Sequence, residues 1–187
     1  MEAIRRRRWW LFLIIFLGGV VVLIERYWAY REHSQDKPIL AAARRYGVEP
    51  ALVKAVVWRE SWFNPRARGT KKEIGLMQIK EAAASEWVQA EHILLWSSEQ
   101  LFDPAKNTLV GTWYLKKLTG RYQQTDNPLP YALADYNAGR SHVLQWARGT
   151  GETNSAAFIE QIGFPSTKEY VRAVMRKYER YRRGFPK

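Results

Sequence analysis

An apolar run near the N-terminus constrains this chain most. Residues 9–24 (WWLFLIIFLGGVVVLI) carry no charge, and the four arginines at positions 5–8 precede them. At 1.5 Å per residue the run covers about 24 Å, slightly less than the ~30 Å of bilayer hydrocarbon, and the aromatic residues at both ends and Arg26 extend it to the interfaces. The run therefore predicts one transmembrane helix over residues 9–25.

The flanks of this run indicate how it lies in a membrane. A cleavable signal peptide has small residues after its apolar run, whereas Glu25-Arg26-Tyr27-Trp28 follow here. The sequence thus favours an uncleaved anchor. Basic residues favour the cytoplasmic side, so residues 1–8 are predicted to be a cytoplasmic tail. We expect a single-pass protein of the inner (cytoplasmic) membrane with its globular part on the periplasmic, extracytoplasmic side.

The segment that follows the anchor is short and polar. Residues 26–36 (RYWAYREHSQD) reach at most about 40 Å when fully extended. We interpret them as a tether that keeps the next domain near the membrane. Residues 37–183 remain for one globular domain, which fits the usual domain size of roughly 100–200 residues.

Composition excludes several classes of site. The chain has no cysteine, which rules out a disulfide scaffold, a thiolate metal site and a cysteine nucleophile. His33, His92 and His142 lack metal-ligand spacing, and no phosphate-binding glycine loop occurs, so no cofactor is expected. The net charge of +12 would suit a nucleic acid. Export argues against that partner, because an exported basic domain meets phospholipid head groups and cell-wall polymer instead.

Turn signals divide the globular part into pieces of helical length, with no sustained strand alternation. The pattern predicts a basic loop over residues 66–74 and a capping box, Ser166-x-x-Glu169, that opens the last helix. We predict an all-α domain with the other helices over residues 37–46, 49–61, 80–92, 104–122, 128–139 and 141–149.

The second of these helices presents a candidate acid. Val53, Val56 and Val57 share one face, and Glu60 continues it into the last turn. Burial and the negative end of the helix dipole both disfavour an anion there and raise the pKa of the carboxyl. A carboxyl that stays protonated near neutral pH can act as the general acid in glycosidic bond cleavage. The alternative interpretation is a surface glutamate paired with Arg59 or Arg66.

Four blocks of sequence, in order over residues 38–180, carry a resemblance. They are Glu60-Ser61-x-Phe63-Asn64-Pro65-x-Ala67 with Gly75-Leu76-Met77-Gln78-Ile79, then Leu101-Phe102-Asp103-Pro104, then Ala134-Asp135-Tyr136-Asn137-Ala138-Gly139, and finally Phe164-Pro165-x-Thr167-x-x-Tyr170-Val171. This set resembles the Slt-type lytic transglycosylases, relatives of goose-type lysozyme. In the loop between the two parts of the first block, Gly69 stands where that family usually has Ser, and Lys72-Glu73 stands where it has Gly-Ala.

The resemblance implies a mostly α-helical, lysozyme-like fold and action on peptidoglycan glycan strands. It makes Glu60 the general acid and then the general base of a reaction that cleaves the MurNAc-β-1,4-GlcNAc bond and leaves 1,6-anhydro-MurNAc ends. We also expect cell-wall protein complexes as further partners. The substrate-binding residues implied are Ser61, Gln78, Tyr136, Asn137 and Tyr170, with Ser61 equally well interpreted as a cap of the helix end.

Two other carboxylates, Asp135 and Glu73, could take part in the reaction, and the sequence leaves two other functions as alternatives. Asp135 should point about 100° away from Tyr136 and so away from the cleft, and we interpret it as structural or surface. Glu73 is interpreted as solvated or structural. If either reached the cleft, an activated water would make the chain a hydrolytic muramidase of the goose-lysozyme type. The other alternative is a non-catalytic peptidoglycan-binding scaffold.

Overall fold

The computed structural model describes the backbone of residues 2–186 and the side chains of residues 9–10 and 13–186, in two units that separate between Gln35 and Asp36. The first unit is helix α1 (Glu2–His33). The side chains from Leu13 to Leu17 and from Val21 to Ile24 are exposed in it. The four arginine side chains of the predicted tail lie outside the described part.

Length and composition would let one helix near the N-terminus cross a membrane, and this is the single such helix among the described residues. Residues 26–33, expected to belong to the tether, continue α1 as helix. The assignment of residues 9–25 as the anchor stays a prediction.

The second unit is helical, as predicted. Its α-helices are α2 (Asp36–Tyr46), α3 (Pro50–Ser61), α4 (Glu81–Ala90), α5 (Pro104–Arg121), α6 (Pro128–Ala138), α7 (Arg140–Trp146), α8 (Ser155–Gln161) and α9 (Pro165–Arg182). Two 3₁₀ helices, Ser98–Phe102 and Gly149–Glu152, join them. Over residues 2–186 the only extended pairing consists of isolated bridges that Ile74 makes with Arg68 and Ile79. These bridges give the basic loop a defined shape.

The start of α9 corrects one prediction. The helix begins at Pro165, and its N-cap is Phe164, which makes no side-chain cap bond, so the capping box at Ser166 does not form. The fixed φ of proline suits the first helical position, and this moves the N-cap two residues earlier, from Ser166 to Phe164. Helix α8 was not predicted. Asn154 caps it by accepting a 2.9 Å hydrogen bond from the backbone N–H of Ala157.

Helix α3 lies at the centre of the second unit, packed against α2 and α9. Residues 50–57 are all buried, not only the predicted valine face. Lys54 is buried with them. Its ammonium pairs with Asp36 Oδ1 at 2.6 Å and lies 4.1 Å from the centre of the Phe185 ring. The helix leaves the core only in its last turn, which carries Glu60.

Candidate active site

Glu60 lies where α3 emerges from the core. The helix ends at Trp62, whose φ of 50° turns the chain out of the helical path. Packing of α9 against α3 brings Tyr170 over this last turn. The Tyr170 phenol donates a 2.6 Å hydrogen bond to Oε1 of Glu60. The two residues that the sequence placed in separate blocks are therefore in direct contact.

The environment of Glu60 favours its neutral form. Burial raises the pKa of Glu60 from 4.5 to about 7. The hydrogen bond from Tyr170 and the positive charges of Arg59 and Lys80 lower this pKa, whereas the charge of Glu73 raises it. Burial is the largest of these effects. The direction of this change in the pKa of Glu60 agrees with the one expected from the helix geometry. The Arg59 guanidinium lies 5.5 Å from the centre of the Tyr170 ring.

The segment that carries Gln78 is fastened by a buried amide. Asn107 Oδ1 accepts from the backbone N–H of Met77 at 2.8 Å, and its Nδ2 donates to the carbonyls of Ile74 and Leu101, each at 2.8 Å. Gly75 fits against this amide, because a Cβ there would lie 2.2 Å from Asn107 Nδ2. No role was expected for Asn107, since nothing local in the sequence marks an amide that bonds to Ile74 and Met77, about 30 positions away.

The hydroxyl groups of Tyr136 and Ser61 also hold the segment that carries Gln78. The Tyr136 phenol donates to the carbonyl of Met77 at 2.7 Å. The Ser61 hydroxyl is buried and lies 2.8 Å from the carbonyl of Leu76 and 3.1 Å from that of Val57. The geometry therefore favours the structural interpretation of Ser61 over a bond to a ligand.

Both tyrosines of the site are neutral hydrogen-bond donors. Burial raises the pKa of Tyr136 and of Tyr170 well above the ordinary value, and the charge of Glu60 raises both further. Because the charge of Glu60 raises the pKa of Tyr136, the two side chains are close enough to interact electrostatically. A phenol that keeps its proton can orient a carboxyl or a sugar oxygen.

Asn137 is exposed beside this cluster, and Thr167 fixes its orientation. The Thr167 hydroxyl donates to Asn137 Oδ1 at 2.8 Å. With its oxygen engaged, the amide offers its N–H donors to a ligand. Thr167 belongs to one of the resembling blocks, but the sequence gave no sign of which side chain it supports.

A cavity of about 160 Å³ opens between α4 and α6. Glu60 is not part of its wall. Asp135 borders the cavity, but its carboxylate accepts from the Tyr122 phenol at 2.7 Å and from Arg121 at 3.1 Å. These two bonds agree with the structural interpretation of Asp135, but the residue borders the cavity and does not point away from it as the helix geometry predicted. Other residues of the wall are Gln78, Lys80, Tyr114, Tyr136 and Gly139.

These groups suit acid–base chemistry by a single carboxyl. Glu60 can donate a proton near neutral pH and then accept one, because its pKa lies in that range. In the described part of the chain no cluster of three or more His, Cys, Asp or Glu side chains is arranged to hold a metal ion.

Comparison with known proteins gives the family. The family model for the transglycosylase SLT domain matches residues 37–159. The soluble lytic murein transglycosylase of Escherichia coli (strain K12) is 37% identical over 140 residues, covering 74% of this chain and 21% of that protein. The membrane-bound lytic murein transglycosylase C of Klebsiella pneumoniae (strain 342) is 36% identical over 129 residues, covering 66% of this chain and 36% of that protein.

Solved structures agree with this assignment. An inactive mutant of the lytic transglycosylase Slt from Pseudomonas aeruginosa has a TM-score of 0.72 at 28% identity, covering 81% of this chain and 24% of that one. The 70 kDa soluble lytic transglycosylase of Escherichia coli has a TM-score of 0.67 at 31% identity, covering 77% and 24%. This chain thus spans only about a fifth to a third of the length of these proteins. The lysozyme-like fold expected from the sequence is confirmed, and the chain belongs to the transglycosylase SLT domain family.

Proposed function

We propose that this chain is a membrane-anchored peptidoglycan lytic transglycosylase. It cleaves the MurNAc-β-1,4-GlcNAc bond and leaves 1,6-anhydro-MurNAc ends. The observation that carries the proposal is the Glu60 carboxyl, whose pKa burial raises to about 7 and whose Oε1 is held by Tyr170 at 2.6 Å. Family membership supports the choice of substrate.

In the first step Glu60 acts as the general acid. Its proton passes to the oxygen that bridges the two sugars, and the bond from that oxygen to C1 of the muramoyl sugar breaks. The acetamido oxygen of the same sugar stabilises the positive charge that develops at C1. Glu60 is left as a carboxylate, which the Tyr170 phenol stabilises through its hydrogen bond.

In the second step Glu60 acts as the general base. The carboxylate takes the proton of the C6 hydroxyl, whose oxygen attacks C1 and closes the anhydro ring. Glu60 regains its proton, and no water is consumed. An internal hydroxyl has a large effective concentration when it is held close to C1, so one carboxyl is enough where most glycosidases use two.

Two further residues are assigned to binding the glycan strand, and two are assigned to positioning other groups of the site. Gln78 lines the cavity, and Asn137, with its oxygen held by Thr167, offers N–H donors to sugar carbonyls and hydroxyls. Tyr136 positions the Gln78 segment through Met77, and Tyr170 positions Glu60. The Ser61 hydroxyl supports the Gln78 segment through the carbonyl of Leu76, and this proposal does not assign it to substrate binding.

Anchoring in the inner membrane is part of the proposal. The apolar run of residues 9–24 and the arginines before it support a single span with the catalytic domain outside the cytoplasm. Two experiments test this part of the proposal. We expect the protein to stay in the membrane fraction after carbonate washing. We expect a reporter fused to the C-terminus to be active on the periplasmic side. A reporter that is active in the cytoplasm would contradict this orientation.

Product analysis tests the chemistry. The full-length chain in detergent is incubated with purified sacculi, and the released muropeptides are measured by mass spectrometry. We expect anhydro products from the wild type and none from Glu60→Gln, which still binds sacculi. Products heavier by one water molecule would instead identify a muramidase, and binding without any release by the wild type would identify a scaffold.

A further inference from the structure

The basic loop forms a closed turn with two lysines at its tip. The backbone N–H of Gly69 donates to the carbonyl of Glu73 at 2.8 Å, and Glu73 Oε2 accepts from the backbone N–H of Lys71 at 2.9 Å. The isolated bridge between Arg68 and Ile74 closes the base of the turn. Lys71 and the lysine after it therefore lie on a hydrogen-bonded backbone.

The second lysine of the tip has a strained backbone. Lys72 has a φ of 64°, in the left-handed region that favours glycine. A residue with a Cβ is sterically strained there, whereas glycine is not. The resembling family usually has glycine at this position, so this chain carries a lysine where the backbone favours glycine. Strain of this kind is found where a side chain serves function.

Both lysines line a cavity of about 590 Å³. Lys80 belongs to the wall of this cavity and also to the wall of the smaller cavity between α4 and α6. The two cavities are therefore adjacent. Because Gln78 and Tyr136 line the smaller cavity, a group that projects from a glycan strand held there can reach the larger one.

The ammonium groups at the tip of the turn have no anionic partner. In the part of the chain that the structure describes, no carboxylate oxygen lies within 4 Å of the ammonium of Lys71 or Lys72. The wall contains two further cations, Lys80 and Arg68. The guanidinium of Arg68 lies 4.5 Å from the centre of the Phe102 ring, which holds it beside the turn. The cavity thus presents unpaired positive charge.

Three carboxylates share this wall, and they do not neutralise the tip. Glu73 is half-buried and lies 3.8 Å from the Lys80 ammonium, which balances its charge. Glu81 and Glu99 are exposed, so that solvent and salt screen their charges. The positive charge that remains for a ligand is therefore concentrated at the two lysines of the tip.

We propose that Lys71 and Lys72 bind a carboxylate of the peptide attached to the muramoyl sugar. This inference rests on the proposed function and adds a peptide-binding site beside the glycan site. Each such peptide branches from the strand at the muramoyl sugar and carries free carboxylates. An ammonium group bonds to a carboxylate more strongly than to a neutral sugar hydroxyl, so two unpaired lysines favour the peptide over the sugar.

The test compares two substrates of the full-length chain in detergent. One is a set of soluble glycan fragments with their peptides, and the other is the same set after an amidase has removed the peptides. We expect the wild type to have the lower KM on the peptide-bearing fragments. Added salt should reduce this difference, because salt screens exposed charges.

Two variants locate the effect at the tip of the turn. Lys72→Gly is expected to raise KM on the peptide-bearing fragments about threefold, and Lys71→Gln/Lys72→Gly about tenfold, as for one and two exposed charge pairs. The rise should be confined to this substrate. Because glycine relieves the left-handed strain, Lys72→Gly should not unfold at a lower temperature than the wild type. A lysine with a purely structural role would give the opposite result, a less stable variant with unchanged KM.

Two controls separate charge at this site from net charge. Lys72→Arg keeps the charge and should keep the wild-type preference for peptide-bearing fragments. Lys116→Gln removes the same charge from an exposed lysine of α5 that lines a different cavity, and it should also keep this preference. A loss of the preference in Lys116→Gln would contradict the proposed site.

The outcomes distinguish this inference from the proposed function. If the wild type releases product and the folded double variant keeps its KM, or raises KM equally on both substrates, this inference alone is overturned. If the wild type releases no product from either substrate, the proposed function fails. Binding of the amidase-released peptides, followed by NMR, then still tests the two lysines. Equal affinity of the wild type and the double variant for these peptides would overturn the inference.

Discussion

The Tyr170 phenol donates a 2.6 Å hydrogen bond to Oε1 of Glu60. This bond joins α9 to α3 at the point where α3 leaves the core. Its effect opposes that of burial, because a donor stabilises the carboxylate whereas desolvation stabilises the neutral acid. Burial is the larger effect, and the pKa of Glu60 is raised to about 7. The carboxyl is therefore poised to give and to regain a proton at neutral pH.

Removing the phenol hydroxyl should move the pH profile in a defined direction. In Tyr170→Phe the carboxylate of Glu60 loses its donor, so the pKa of Glu60 rises and the alkaline limb of kcat shifts above its wild-type position near pH 7. We expect the maximal rate to fall about tenfold, because the hydrogen bond also orients the carboxyl. Release of soluble muropeptides over a pH series measures both effects. A limb that moves to lower pH would contradict the assigned role of Tyr170.

The raised pKa of Glu60 should make stability depend on pH. Between pH 4.5 and about 7 the unfolded chain has lost the Glu60 proton while the folded chain keeps it, so the free energy of unfolding falls as pH rises. The loss is at most about 3 kcal/mol, and less because Glu60 is partly exposed. Glu60→Gln cannot ionise and should unfold at higher temperature than the wild type at pH 8, but at a similar temperature at pH 4. Equal stabilities at pH 8 would show that Glu60 ionises normally.

The buried amide of Asn107 should be a main support of the Gln78 segment. Asn107→Ala leaves the Met77 N–H and the carbonyls of Ile74 and Leu101 without their partner. Each buried unsatisfied group costs about 1–3 kcal/mol, and we expect the variant to lose about 3 kcal/mol of stability. Urea unfolding measures the loss, with the exposed Gln124→Ala as the control that should change nothing. A stable Asn107→Ala variant would mean that the segment is held mainly by Tyr136 and Ser61.

Thr167 should act on binding through Asn137. Thr167→Val removes the hydroxyl that holds Asn137 Oδ1 but keeps the shape of the side chain. A neutral hydrogen bond contributes about 1 kcal/mol, so KM should rise about fivefold with kcat nearly unchanged.

Thr112→Val is the matched control for this change. Within the described residues the Thr112 hydroxyl is buried without a hydrogen-bond partner. Its removal should leave KM unchanged and should be neutral or stabilising in thermal unfolding. If Thr112→Val raised KM as much as Thr167→Val does, the effect would come from the core and not from Asn137.

The helices of the second unit could be predicted because their signals are local. Gly47, Pro50 and Pro104 mark helix ends, and the observed bounds of α2, α3 and α5 lie within one residue of those predicted. Helix α8 escaped prediction because its seven residues bury only Phe158 and so show no apolar period. Short elements of this kind are stabilised by tertiary contacts more than by their own pattern.

The acid itself could also be predicted, but its supports could not. Glu60 continues an apolar helix face, which makes it a candidate acid, but this local pattern left a surface glutamate as the alternative, and the resemblance was needed to choose between them. Lys54 lies on the same helix and is also buried. Its ammonium pairs with Asp36 and packs against the Phe185 ring, two residues from opposite ends of the domain. Asn107 and Thr167 likewise bond to residues about 30 positions away. Such contacts depend on the packed fold, and no local spacing in the sequence encodes them.

Direct titration of the Glu60 carboxyl tests the central claim. The full-length chain is labelled with ¹³C at the glutamate side-chain carboxyls, and spectra of the wild type and Glu60→Gln are compared over a pH series to assign the signal. The account predicts that the signal missing from the variant titrates with a midpoint of about 7. A midpoint near the ordinary value of 4.5 would contradict it, because the proposed acid would then be ionised before it meets the glycan.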